Sequence, residues 1–148
     1  MRQRSDPLSE AFRILGRSDQ LSINLRERLL RLGFTEPEAD QALARLEELG
    51  LLNDAKVSER WARRSSESPA NGRLRIIADL VRKGVDESDA EHLAEVYLAD
   101  GDELDRAKQL ALTLSQAGKN AVQAARYLGS RGFRPETVEQ AIEGVYDQ

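Results

Sequence analysis

Six basic side chains, Arg63, Arg64, Arg73, Arg75, Arg82 and Lys83, lie within 21 consecutive positions. Guanidinium groups present a planar fork of donors that pairs with carboxylates and phosphates. The chemistry on offer is therefore recognition of an anionic surface, whether an acidic protein face or a nucleic-acid backbone. Nothing comparable points to catalysis. Carboxylates are abundant but none sits in a distinctive catalytic context, and there is no P-loop, dinucleotide fingerprint or nucleophile motif. The lone His92 lies between Glu91 and Leu93 with no His or Cys companion, so it reads as a surface residue and not as a metal ligand. The 148 residues contain no cysteine, which excludes a thiol nucleophile, a disulfide frame and a Cys-based metal site. We expect no enzyme activity, no metal and no cofactor.

Charge distribution narrows the partner. Residues 1–75 hold 14 basic and 12 acidic side chains and residues 76–148 hold 8 and 14, so a half of +2 precedes one of −6. Nine acidic side chains and no Lys or Arg occur from Asp86 to Asp105. Autonomous nucleic-acid binders are usually basic, so this balance favours a protein partner. The acidic run reads mainly as carboxylates at helix starts, where they complement the dipole. No apolar run approaches the ~20 residues of a membrane span, and the first residues lack the apolar core of a signal peptide. The expected location is the cytoplasm and the expected state a monomer.

The elements that must position the basic residues are helices, with no sustained period-two alternation to suggest a sheet. Asp6 and Pro7 open the first, with Leu8, Ala11, Phe12 and Leu15 inward and Gly16 as its stop. Leu25, Leu29 and Leu32 form one face of the second. Thr35 and Glu38 form a capping box for the third, which turns Ala39, Ala42, Leu43, Leu46 and Leu49 to the core. Val57, Trp61 and Ala62 mark the buried side of the fourth, with Trp61 a core anchor. Residues 65–72, rich in Ser, Pro, Asn and Gly, are the longest loop signal. Leu74, Ile77, Leu80 and Val81 give the fifth helix. Asp86 caps the sixth, with Ala90, Leu93, Ala94, Tyr97 and Leu98 as its stripe. Gly101-Asp102 breaks the chain before a seventh carrying Ala107, Leu110, Ala111 and Leu114. Asn120 caps the eighth, with Ala121, Ala124, Ala125 and Leu128. Pro135 starts the ninth, with Val138, Ala141, Ile142 and Val145.

One pattern recurs. Leu29, Leu80 and Leu128 each stand four residues before a glycine, Gly33, Gly84 and Gly132, and a large apolar residue follows each glycine: Phe34, Val85 and Phe133. Equivalent core positions then recur: Ala39, Ala90 and Val138; Leu43, Ala94 and Ile142; Leu46, Tyr97 and Val145. A fixed spacing of this size marks a repeat architecture. The expected fold is all-α, with three tandem three-helix repeats at residues 1–52, 53–100 and 101–148 forming an elongated, curved array.

Three segments carry a more specific resemblance. They are Gly50-Leu51-Leu52-Asn53-Asp54 with the following helix through Trp61, Ala62, Arg63 and Arg64; Gly72-Arg73-Leu74-Arg75-Ile76 leading to Leu80-Val81-Arg82-Lys83-Gly84-Val85; and Tyr127-Leu128-Gly129-Ser130-Arg131-Gly132-Phe133. In this order and spacing the chain resembles the RecX family, regulators of the bacterial recombinase RecA. It departs from the family pattern at Asn53 (usually Asp), Val57 (usually Phe) and Arg73 (usually Pro). A Ser-x-x-Glu box at the second helix is also replaced by Leu21 and Asn24, leaving Ser22 to cap. The resemblance implies three tandem three-helix repeats. It also implies a protein that binds the RecA–single-stranded DNA filament and inhibits ATP hydrolysis, strand exchange and coprotease activity, modulating DNA repair, homologous recombination and the SOS response. The six basic residues would then meet RecA or, weakly, the DNA backbone. From other classes, a helical DNA-binding protein independent of RecA and a scaffold for another partner also fit the composition.

Overall fold

The structure, a computed structural model, describes residues 6–147. Among these the order is α1 (Pro7–Leu15), α2 (Ser22–Arg31), α3 (Glu36–Glu48), α4 (Asp54–Glu67), α5 (Arg73–Arg82), α6 (Glu87–Tyr97), α7 (Asp100–Gln116), α8 (Ala121–Ser130) and α9 (Pro135–Tyr146), with no strand. The chain forms two compact units that divide within α4, after Ser58.

In the first unit α1, α2 and α3 pack on one another around Ala11, Ile14, Leu25, Leu29, Phe34, Ala39, Leu46 and Leu52. The stripe on α1 is rotated from the expected one: Ile14 is buried and Phe12 is exposed. Leu32 and Leu49, expected inward, are exposed at the C-caps of α2 and α3, where the helical phase no longer points at the core. Ser22 is not the cap of α2. The cap position is Leu21, which offers no side-chain acceptor. Asp54, at the start of α4, substitutes from 32 residues away, accepting the Ser22 N–H at 2.8 Å and its hydroxyl at 3.0 Å. The capping box of Thr35 and Glu38 forms as expected.

The second unit contains the rest. Helix α5 packs on α6, and α7, α8 and α9 pack on one another around Ala107, Ala111, Leu128, Phe133 and Ala141. On α5 the buried apolar positions are Ile76 and Leu80, whereas Leu74 and Val81 are exposed. Gly101 does not break the chain: α7 begins at Asp100 and runs through it, the interruption falling at Leu98-Ala99. Asp86 caps α6 and Asn120 caps α8, the latter in a capping box with Gln123.

The recurrent glycine turn has one geometry in all three places. Gly33, Gly84 and Gly132 have φ of 97°, 104° and 80°, the region a side chain disfavours. In each, the residue after the glycine donates its N–H to the carbonyl five residues back: Phe34 to Leu29 at 3.2 Å, Val85 to Leu80 at 3.0 Å and Phe133 to Leu128 at 3.2 Å. This Schellman closure satisfies carbonyls that the helix end leaves open and drives Phe34, Val85 and Phe133 into the interior.

Gly132 carries a second constraint. A Cβ there would lie 2.6 Å from the Arg75 Cβ, whereas one on Gly118, at φ 84°, would meet nothing within 4 Å. Gly118→Ala should cost about 1–2 kcal/mol, the left-handed term alone. Gly132→Ala should exceed the roughly 0.5–3 kcal/mol of most substitutions, because backbone must also move. Urea unfolding of both variants checks the difference.

Candidate functional site: a basic surface beside a buried carboxylate

The six basic residues do not share one environment. Arg63 and Arg64 are exposed near the end of α4, and neither makes an ion pair with another described residue. Arg75 and Arg82 converge on Asp79 one turn away on α5, Arg75 Nε at 3.3 Å and Arg82 through Nη2. The other Asp79 oxygen accepts the Ser65 hydroxyl at 2.9 Å, tying α5 to α4. Lys83 Nζ stands 5.1 Å from the centroid of the Trp61 ring, a cation–π distance. Trp61 is buried, as expected of an anchor. These five residues thus lie along α4 and α5 and at the turn that follows, with two of the cations held in place by one carboxylate.

Arg73 differs from the rest. It is 9 % exposed and turned inward. Its Nε and Nη2 donate to the Leu98 carbonyl at 3.1 and 2.9 Å, and Nη2 pairs with Asp100 at 2.6 Å. Leu98 is the C-cap of α6, so the guanidinium occupies the negative end of that helix dipole. A side chain committed in this way does not reach a partner's surface.

The arrangement that holds Arg73 centres on Glu103, whose side chain is fully buried. Its Oε1 accepts from Arg134 Nε at 2.9 Å and from the Thr137 hydroxyl at 2.6 Å, both at the start of α9. Its Oε2 accepts the backbone N–H of Arg73 at 2.7 Å. Helix α5 has no side-chain cap of its own. Its first turn is satisfied from elsewhere in the chain: Arg73 N–H by Glu103, and Leu74 N–H by the Gly132 carbonyl at 2.9 Å. The Gly72 N–H likewise donates to the Arg131 carbonyl at 2.9 Å. A Cβ on Gly72 would come within 2.5 Å of the Gly132 carbonyl carbon, so glycine permits this backbone contact.

The loop signal at residues 65–72 is shorter than expected, since α4 runs to Glu67, and what remains is tightly bonded. Arg106 donates to the carbonyls of Ser66, Ser68 and Asn71 at 2.8, 3.1 and 2.9 Å. Arg131 donates to the Ala70 carbonyl at 3.0 Å and to Asn71 Oδ1 at 2.7 Å. Burial lowers the pKa of the Arg106 guanidinium, opposed by the attraction of Asp102 and Glu103. For Arg134 burial works in the same direction, but the hydrogen bond and charge of Glu103, then Asp100, leave its pKa raised.

Sequence reasoning missed Glu103, Arg106, Arg131, Arg134 and Thr137. A signal existed for Glu103. It stands four and eight residues before Ala107 and Ala111, so it continues the buried stripe of α7. A carboxylate in core phase needs partners. Reading it as one more acid at a helix start concealed that. Among the described residues no group of acidic, His or Cys side chains could hold a metal ion, and no helix is long and apolar enough to cross a membrane.

The fold class is shared with solved proteins. A crystal structure of RecX from Lactobacillus salivarius superposes with a TM-score of 0.79 over 94 % of each chain at 19 % identity. At the level of sequence, the regulatory protein RecX of Trichlorobacter lovleyi is 30 % identical over 95 % of this chain and 96 % of its own. That of Chromohalobacter salexigens is 30 % identical over 98 % and 96 %. No protein-family model matches the chain. Identity at this level over essentially the whole of both relatives makes the chain a member of the RecX family of regulatory proteins.

The outer ion pairs of the network give a pH test. The hydrogen bond and charge of Arg73, followed by the charge of Arg134, lower the Asp100 pKa below its ordinary value. A carboxylate with a lower pKa folded than unfolded binds fewer protons in the native state. Its contribution is complete above the unfolded pKa of about 3.9 and is lost as pH falls through the folded value. Stability should therefore decline on acidification below about pH 4, and Asp100→Asn should flatten that part of the profile. Chemical unfolding of both proteins across the acid range measures it.

Proposed function

We propose that this protein is a non-enzymatic, cytoplasmic modulator of RecA that binds the RecA–single-stranded DNA filament and inhibits its ATP hydrolysis, strand exchange and coprotease activity. Membership of the RecX family, carried by two relatives matched over nearly their whole length, is the observation that supports this reading most. The recurrence of one glycine-turn geometry at Gly33, Gly84 and Gly132 supports a further proposal. The chain is three repeats, residues 1–52, 53–100 and 101–148, that meet successive protomers of one lattice. Linked contacts on a continuous lattice multiply, so each can be weak. The contacting residues on our reading are Arg63, Arg64, Arg75, Arg82 and Lys83, without Arg73. Exposed charges of this kind act mainly on encounter rate and orientation. The net charge of −4 weighs against free DNA as their target.

The test is DNA-dependent ATP hydrolysis by the cognate RecA during titration with this protein. Inhibition should appear below one copy per RecA protomer. Reversing Arg63 and Arg64 to Glu should raise the half-inhibitory concentration about tenfold with unchanged thermal unfolding. No inhibition by the unaltered protein, with active RecA and DNA, would refute the modulator reading. Equal inhibition by the double variant would remove α4 from the contact surface.

A further inference from the structure

An open apolar groove of about 550 Å³ lies between α8 and α9 and is lined also by Leu74 of α5. Ala125 and Gly129 line it from α8 and Ile142 from α9, and Glu139 and Glu143 stand along the α9 wall. We infer that this groove binds an amphipathic helix of a protein partner, one with an apolar face flanked by Lys or Arg.

Three observations support that occupant. First, the groove is apolar yet open: Leu74 is 45 % exposed although it heads a well-packed helix. Second, Ala125 and Gly129 are one turn apart and nearly without side chains, and a Cβ on Gly129 would meet nothing within 4 Å. No bulky side chain of α8 therefore stands over this part of the groove, which leaves its backbone open to close approach by a helix. Third, Glu139 and Glu143 do not favour α9 itself: like charges at i, i+4 repel, and Glu143, near the C-terminal end of the helix, also opposes its dipole. Neither carboxylate forms an ion pair among the described residues, and no basic side chain lines the groove. Two carboxylates aligned one turn apart beside an apolar floor complement a helix with basic residues at the same spacing. The same charges disfavour nucleic acid.

The test uses the full chain with a fluorescein-labelled amphipathic peptide of about four helical turns. One version carries Leu along one face with flanking Lys, and a second has Glu in place of Lys. Anisotropy should show binding of the Lys peptide and much weaker binding of the Glu peptide. Gly129→Leu fills the groove without changing charge and should weaken the Lys peptide about tenfold. Its melting temperature should stay level or rise, since a Cβ there meets no neighbour within 4 Å and Leu favours the helix over Gly. Glu139→Lys with Glu143→Lys should transfer the preference to the Glu peptide. The inference is overturned if neither peptide binds, if both bind equally, or if Gly129→Leu leaves the affinity for the Lys peptide unchanged. It is also overturned if sedimentation shows that the chain self-associates through this groove and that Gly129→Leu abolishes the association, for the occupant is then a second copy.

Discussion

The buried carboxylate of Glu103 is the interaction on which the second unit depends. An ionised carboxylate withdrawn from water costs several kcal/mol even after relaxation unless charge and hydrogen bonds compensate it. Here both oxygens are used, by an arginine, a hydroxyl and a backbone N–H from two other helices. Breaking one partner out of such an arrangement typically costs about 3–5 kcal/mol, because the remaining charge is left buried. The same carboxylate sits at the positive end of α5, which has no side-chain cap of its own. One side chain therefore fixes the start of α5 and the start of α9 relative to α7.

The consequences spread through the ion pairs around it. With its N–H on Glu103, Arg73 directs its guanidinium to the C-terminus of α6 and to Asp100. Arg134 bridges Glu103 and Asp100. Arg106 and Arg131 then close the segment between α4 and α5 through the carbonyls of Ser68, Ala70 and Asn71. Among the described residues no buried side-chain nitrogen or oxygen lacks a partner. A network in which every polar group is matched can tolerate burial that a partly matched one cannot. It also separates the arginines by role. Arg73, Arg106, Arg131 and Arg134 hold helices together, while Arg63 and Arg64 remain on the surface.

Much of the fold was legible in the sequence because it is written in local terms. Capping boxes at Thr35 and Asn120, the turn glycines and the alanine and leucine stripes each act within a few residues, and the helices follow from them. Some errors are of helical phase, as on α1 and α5, where Ile14 and Ile76 are buried and Phe12 and Leu74 exposed; the others lie where a distant residue decides. Ser22 is bonded by Asp54, not by a cap of its own. The interruption before α7 is set at Leu98-Ala99, whose carbonyl environment Arg73 completes, and not at Gly101. The candidate site was legible only in part for the same reason. Of the six basic residues Arg73 is the buried one, and its backbone N–H is taken by a carboxylate 30 positions away that no local pattern links to it.

The most direct test of this account is amide hydrogen exchange at the first turn of α5, read residue by residue by NMR. First-turn amides lack an intrahelical acceptor and ordinarily exchange fast. If Glu103 and the Gly132 carbonyl hold this turn, the amides of Arg73 and Leu74 should exchange as slowly as those of the core of the second unit, far more slowly than those of Ala121 and Val122 at the equivalent positions of α8. Exchange of Arg73 and Leu74 as rapid as that of Ala121 and Val122 would contradict the central role given to Glu103.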